Sequence, residues 1–176
     1  MRYYISQDRK RYNIRFYDRF IYNENYYIFD YLRTLRHLEY LTNKKKNTFD
    51  YLLYYYTYWQ YKRKCYKLKI KIAINSCGPG LFIPHIGLIR VATYAKVGAN
   101  CIIGPGVILG TKGKFENAPI VEDNVEICLG AKLIGKIHIG NNVKIAPNSV
   151  VINDVPDNSL VSGVPARIIK TYPSET

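Results

Sequence analysis

A period of six governs the second half of this chain and limits what it can fold into. Aliphatic residues stand at Val91, Val97, Ile103, Leu109, Val121, Ile127, Leu133, Ile139, Ile145 and Val151, all separated by six residues or a multiple of six. Four places after these come small or β-branched residues: Ala95, Cys101, Val107, Val125, Ala131, Ile137, Val143, Ser149 and Val155. A glycine or alanine often follows the aliphatic residue, as at Ala92, Gly98, Gly104, Gly110, Gly140 and Ala146. An amphipathic helix would repeat at three and four, and a hairpin meander would alternate strictly. Six is the count of a triangular parallel β-helix. Each face is a short strand with one inward aliphatic side chain, and each corner is a tight turn beside a smaller inward residue. Successive coils then stack about 4.8 Å apart, the ordinary strand spacing.

The lattice breaks twice. An earlier phase runs Cys77, Leu81, Ile83, Gly87, and the step from Ile83 to Val91 is eight, so two extra residues enter there. His85 lies inside that slip, where an off-register residue leaves the regular face; sheets commonly re-aim functional side chains this way. The second break, Gly110 to Pro119, is polar and glycine-containing and reads as a flexible loop between coils. A loop on a rigid scaffold is a usual place for binding.

Composition changes near residue 70. Sixteen of the eighteen tyrosines and 16 Lys/Arg against 6 Asp/Glu fall in residues 1–70, which carry +10 of the net +13. The expected organisation is a basic, Tyr-rich helical segment over 1–70, a β-helix domain over 71–170 and a tail over 171–176. Ile28, Tyr31, Leu32, Leu35, Leu38 and Leu41 lie on one helical face. Asn23 or Asn25 caps that helix, and the lysines between Asn43 and Asn47 end it. A second helix opens at Asn47 or Thr48, with Phe49, Leu52, Leu53, Tyr56 and Trp59 as its apolar stripe. The segment is too small to make much core alone, so it should pack on a neighbour. His37 reads as an ordinary surface or packing residue.

The basic balance invites nucleic acid, an anionic membrane surface or an acidic saccharide as partner. No zinc-finger spacing or RNA-binding aromatic signature supports nucleic acid, so a solvated basic face is preferred. Four dispersed cysteines (65, 77, 101 and 128) without a CxxC pair fit reduced thiols. The N-terminus lacks the apolar core of a secretory signal. No stretch approaches the roughly 18 apolar residues of a membrane span. A cytoplasmic protein, with possible attachment to the inner membrane face, is expected.

From Gly78 to Ile169 the residues resemble the serine acetyltransferase-like branch of left-handed β-helix acyltransferases. The resemblance rests on Gly78-Pro-Gly-Leu, His85 with Gly87, Gly104 to Lys114, Gly130-Ala-Lys-Leu-Ile-Gly135, Ile139-Gly-Asn-Asn-Val-Lys144, Val155-Pro and Ser162-Gly-Val-Pro-Ala-Arg-Ile-Ile169. Residues 5–12 also resemble the opening of short members encoded for polysaccharide synthesis. The resemblance implies acetyl transfer from acetyl-CoA to a hydroxyl, in a homotrimer or dimer of trimers with the site between neighbouring β-helices. The family's base matches His85, and imidazole suits that role because its unperturbed pKa is near neutrality. Backbone N–H groups would hold the oxyanion. Contacts to CoA carry over to Gly110 and Thr111 near the pantetheine, Leu129 and Gly130 at a coil edge, Lys144 near the phosphates with Pro147 after it, and Val164 and Pro165 in the terminal cover. His138 reads as structural or exposed.

The chain departs from that branch in its acceptor residues. The position upstream where the family pairs its histidine with a carboxylate falls at Ile70 or Lys71. Pro84 replaces an Asp before the histidine, and Asn117 and Ala118 replace an Arg-His pair that helps hold the amino acid's charged ends. The sequence therefore favours a sugar hydroxyl in surface polysaccharide synthesis as acceptor, with L-serine as the alternative and a non-catalytic β-helix scaffold as the third reading. A zinc enzyme needs three convergent histidines, and the β-helix offers only His85 and His138. No metal is expected.

Overall fold

A computed structural model describes residues 1–45 and 47–173, with Phe16 described by its backbone alone. Helices α1 (Arg2–Lys10), α2 (Glu24–Asn43) and α3 (Thr48–Leu68), with a short 3₁₀ turn at Phe16–Arg19, precede the strands. Asn23 caps α2 by accepting from the Asn25 amide at 2.9 Å, and Asn47 caps α3 in a reciprocal pair with Asp50. Lys46, in the lysine run expected to end the first of these helices, lies outside the described residues.

The strands then follow in chain order: β1 (Ile70–Ile72), β2 (Ile89–Val91), β3 (Lys96–Val97), β4 (Ile102–Ile103), β5 (Ile108–Gly110), β6 (Ile120–Val121) and β7 (Glu126–Ile127). After them come β8 (Lys132–Ile134), β9 (His138–Ile139), β10 (Lys144–Ile145), β11 (Val150–Val151), β12 (Ser159–Gly163) and β13 (Ala166–Thr171). They build three parallel sheets, ordered β1-β2-β5-β8-β11, β4-β7-β10-β12 and β3-β6-β9, with β13 closing the second sheet as an antiparallel hairpin. This is a left-handed parallel β-helix behind a small helical segment.

Every aliphatic residue of the six-residue lattice is buried, and so is every small residue four places on. Pairings such as Glu126 with Lys144 and Ile120 with His138 advance by one turn of eighteen residues. Strands this short need sharp corners. Asn100, Asn124, Asn142 and Asn158 all sit at φ between 55° and 58° on one corner column, a left-handed conformation that asparagine tolerates. The amide of each of the last three bonds to a carbonyl of the coil before, at 2.8–3.1 Å. Two inward positions break the apolar rule: Ser149 and Ser159 are both fully buried, and whereas the Ser159 hydroxyl donates to the Asp157 carbonyl, that of Ser149 finds no partner among the described residues. An orphaned buried hydroxyl costs about 1–3 kcal/mol, so Ser149→Ala is expected to raise the melting temperature in calorimetry, and a lowered one would contradict this reading.

A solenoid's first coil has an open edge whose backbone groups lack a neighbouring strand. Here the helical segment caps it. The Tyr61 hydroxyl donates to the Ile72 carbonyl at 2.5 Å, and the Ile72 amide donates to the Tyr31 hydroxyl at 3.1 Å. The Ile83 amide donates to the Tyr12 hydroxyl at 2.8 Å. Burial pushes all three phenols up in pKa, which keeps the hydroxyls protonated. Tyrosine suits this task because it combines an apolar ring with a polar tip, which gives part of the Tyr-rich segment a structural purpose.

Charged side chains complete the cap. Arg36, expected to belong to a solvated basic face, is instead 1% exposed, and all five of its N–H groups are satisfied. It donates to Asp8 at 2.9 and 3.4 Å, to Glu39 at 3.0 Å, and to the carbonyls of Cys77 and Gly78 at 2.7 and 2.6 Å. Asp8 in turn accepts from the Leu81 amide, and Glu39 from the Asn75 amide.

The expected apolar stripe of α3 is corrected by the structure. Phe49, Leu52, Leu53, Tyr56 and Trp59 are exposed, while Tyr54, Tyr58, Tyr61, Cys65 and Leu68 turn inward. Both sets fit a helical repeat. The second wins because its tyrosines meet α2, where Tyr61 stacks on Tyr31 at 5.9 Å, and reach the open coil edge.

Candidate active site

The first coil is irregular in a way that frees His85. Its inward residues Ile72, Cys77, Ile83 and Val91 are spaced five, six and eight, so the coil closes one residue long, with Ile72 registered against Val91. The excess gathers in the turn 84–88. This turn stacks on the next coil's corner so closely that a Cβ on Gly87 would lie 2.8 Å from the Cβ of Pro105. His85 projects from it with its side chain 69% exposed.

Glu24, the first residue of α2, supplies what the sequence seemed to lack. Its Oε2 lies 3.2 Å from His85 Nδ1, and its Oε1 accepts from the Ile86 amide. A carboxylate here is further favoured by the positive end of the α2 dipole. Since a carboxylate only accepts, the hydrogen bond places the ring proton on Nδ1 and leaves the Nε2 lone pair outward. The family's carboxylate position falls on Ile70 or Lys71 in this chain, yet His85 does have a carboxylate beside it, brought by α2. No local motif signals Glu24: it stands 61 residues upstream and arrives only because α2 caps the open coil.

A second pair joins His138 Nε2 to Glu122 at 2.9 Å. It differs in kind, because His138 sits in regular strand β9, with its own amide bonded to Asp154 at 2.8 Å. His37 is exposed to solvent on one side, and the partial desolvation of its ring against the protein, followed by the charge of Arg33, lowers its pKa.

The residues carried over for CoA fall largely on one edge. The turn bearing His85 connects the sheet containing β4 to the sheet containing β2. The corners at Pro105–Gly106, Leu129–Gly130 and Pro147–Asn148 lie beneath it and are hydrogen-bonded in sequence: Gly130 amide to Pro105 carbonyl at 2.8 Å, Asn148 amide to Leu129 carbonyl at 2.9 Å. Val164 and Pro165 follow β12 in the β12–β13 turn, at the foot of the same edge, and both are exposed. Lys144 lies on β10, one strand before the edge, paired to Glu126 at 2.9 Å, which raises its pKa.

Gly110 and Thr111 stand apart, at the far end of β5, where Gly110 accepts from the Gly135 amide at 3.0 Å. The loop that follows is closed on itself: the Lys112 amide donates to the Asn117 carbonyl, and the Asn117 side chain donates back to the Lys112 carbonyl. Ala118 is buried. Among the described residues, no group of three or more His, Cys, Asp and Glu converges on a metal position.

No family model matches the chain. The serine acetyltransferase of Synechococcus elongatus is 43% identical over 94 residues, covering 52% of this chain and 38% of that protein. The chain thus matches well under half of that relative's length. A solved bacterial hexapeptide-repeat transferase, a serine O-acetyltransferase from Brucella melitensis, is 30% identical with a TM-score of 0.68, covering 98% of this chain and 68% of that one. A serine acetyltransferase solved in complex with CoA gives 28% identity and a TM-score of 0.68, over 81% of this chain and 57% of that one. The likeness to the Brucella protein takes in the capping helices as well as the coils they close, and on that extent the chain belongs to the serine acetyltransferase-like family of hexapeptide-repeat O-acetyltransferases.

Proposed function

We propose that this protein transfers an acetyl group from acetyl-CoA to an acceptor hydroxyl, with His85 as general base. The carrying observation is the Glu24–His85 pair, which leaves Nε2 outward on a turn directly above a column of CoA-type corner residues. Nε2 takes the hydroxyl proton as the acceptor oxygen attacks the thioester carbonyl. The tetrahedral intermediate then collapses with loss of the CoA thiolate, which recovers the proton from the imidazolium. From the turn of His85 to Val164 the edge descends four coils, about 19 Å at the ordinary strand spacing, enough to seat an extended thioester-bearing arm. For Lys144 to meet a phosphate it must leave Glu126. A groove between neighbouring copies, in a trimer or a dimer of trimers, would enclose the arm.

L-Serine is the acceptor that the relatives' names support. A sugar hydroxyl remains the second reading, because Pro84, the buried Ala118 and the internally bonded Asn117 offer no charged clamp for an amino acid's two ends. Following CoA release from acetyl-CoA with L-serine, other amino acids and nucleotide-, lipid- or oligosaccharide-linked sugars separates them. Turnover with L-serine is expected. Turnover confined to sugars would replace L-serine as acceptor and keep the base, whereas no CoA release with any hydroxyl acceptor would contradict the transferase reading.

A further inference from the structure

The helical segment spends all its carboxylates internally. Asp8 and Glu39 bind Arg36, Asp18 accepts from the Arg15 amide and the Asn23 side chain, and Glu24 holds His85. Asp30 pairs with Arg33 and Lys64, and Asp50 pairs with Lys44. The outer surface is thereby left to cations, and Arg9 and Arg19 meet no carboxylate in an ion pair among the described residues. These two line a cleft of about 420 Å³ with Arg15 and Arg33, walled by Phe20, Tyr26 and Phe29. The neighbouring clefts share Asp30 with it and continue the surface to Arg63 and Lys67 on α3. There Arg63 lies over the exposed ring of Trp59 at 4.7 Å.

One loop tip distinguishes this surface from an ordinary basic patch. Phe20, Ile21 and Tyr22, between the 3₁₀ turn and α2, are 68%, 62% and 79% exposed, three consecutive apolar or aromatic side chains beside the arginine cleft. Solvent penalises such a run. A nucleic acid or a soluble polysaccharide would use the cations and the rings, but gives an isoleucine at the tip nothing to enter. An anionic bilayer rewards both features: phosphates meet the guanidinium groups, and the tip enters the boundary between headgroups and acyl chains.

We infer that the surface formed by the arginine cleft and the Phe20-Ile21-Tyr22 tip docks on an anionic lipid bilayer. Among the described residues no helix is long and apolar enough to cross a membrane, and the contact proposed is one made at the bilayer surface. The tip ends two residues before Glu24, which would hold the candidate active site close to the membrane surface.

The test is co-flotation of the full chain with phosphatidylcholine vesicles, with and without phosphatidylglycerol, beside a soluble heparin-binding arm. It uses neither acetyl-CoA nor an acceptor, so its failure leaves the transferase reading untouched. Binding is expected only to the phosphatidylglycerol vesicles. Each cation near such a surface contributes about fivefold, so Arg9→Glu/Arg19→Glu should weaken binding at least about 25-fold. Phe20→Ser/Ile21→Ser should weaken vesicle binding while leaving heparin binding intact, with far-UV circular dichroism confirming that both variants fold. Absence of vesicle binding, equal binding to neutral vesicles, or vesicle binding indifferent to the tip substitution would each overturn the proposal.

Discussion

Replacing His85 with alanine is expected to cut acetyl transfer by about 10²- to 10⁴-fold, the usual worth of a positioned general base, whichever acceptor is used. Little ground-state binding should be lost, because the side chain points outward and its contacts within the described residues run to Glu24. The effect should therefore fall on kcat rather than on the KM for acetyl-CoA. His138→Ala is the matched control. It removes a histidine of similar exposure that is likewise paired to a carboxylate, but one set in a regular strand, and it should leave turnover near the parent value. Undiminished turnover in His85→Ala would remove the proposed base. A loss confined to His138→Ala would move the site to the other pair.

The largest expected effect on stability lies at the buried guanidinium. Arg36→Met leaves the carboxylates of Asp8 and Glu39 buried without their cation and strips the Cys77 and Gly78 carbonyls of their donor. Breaking a buried ion pair from one side costs about 3–5 kcal/mol. For a chain of this size that lowers the melting temperature by roughly 6–20 °C. Asp8→Ala should act similarly, since it orphans Arg36 and the Leu81 amide together. Thermal unfolding followed by circular dichroism reads both. A shift of a degree or less would show that the helical segment does not close the first coil through this network.

The β-helix was legible in the sequence because its rule is local: each inward residue lies six places from the next, and the structure buries them all. The slip around His85 was legible for the same reason, as a miscount in the period. Contacts made across the fold were not. Glu24 and Arg36 look like ordinary helix-surface charges until α2 is laid along the open coil, where backbone amides and carbonyls give each a partner. The inward face of α3 is ambiguous in the sequence because two sets of aromatic residues share its period, and only the packing against α2, where Tyr61 stacks on Tyr31, decides between them. Among the residues carried over for CoA, those at corners and in the β12–β13 turn gather on one edge because the stacking period places them there. Gly110 and Thr111 fall at the far end of a strand, so a role for them requires a ligand that spans the sheet face or a neighbouring copy.

In the proposed mechanism Glu24, a carboxylate of the helical cap, works through His85 of the first coil. A double-mutant cycle on acetyl-CoA turnover separates this from two independent roles. Glu24→Gln alone should slow transfer by about tenfold to a hundredfold through a misplaced ring. Added to His85→Ala it should cost nothing further, since a positioning residue has no effect once the residue it positions is gone. Losses that simply multiply would show that Glu24 and His85 act independently, and that their hydrogen bond belongs to the cap alone.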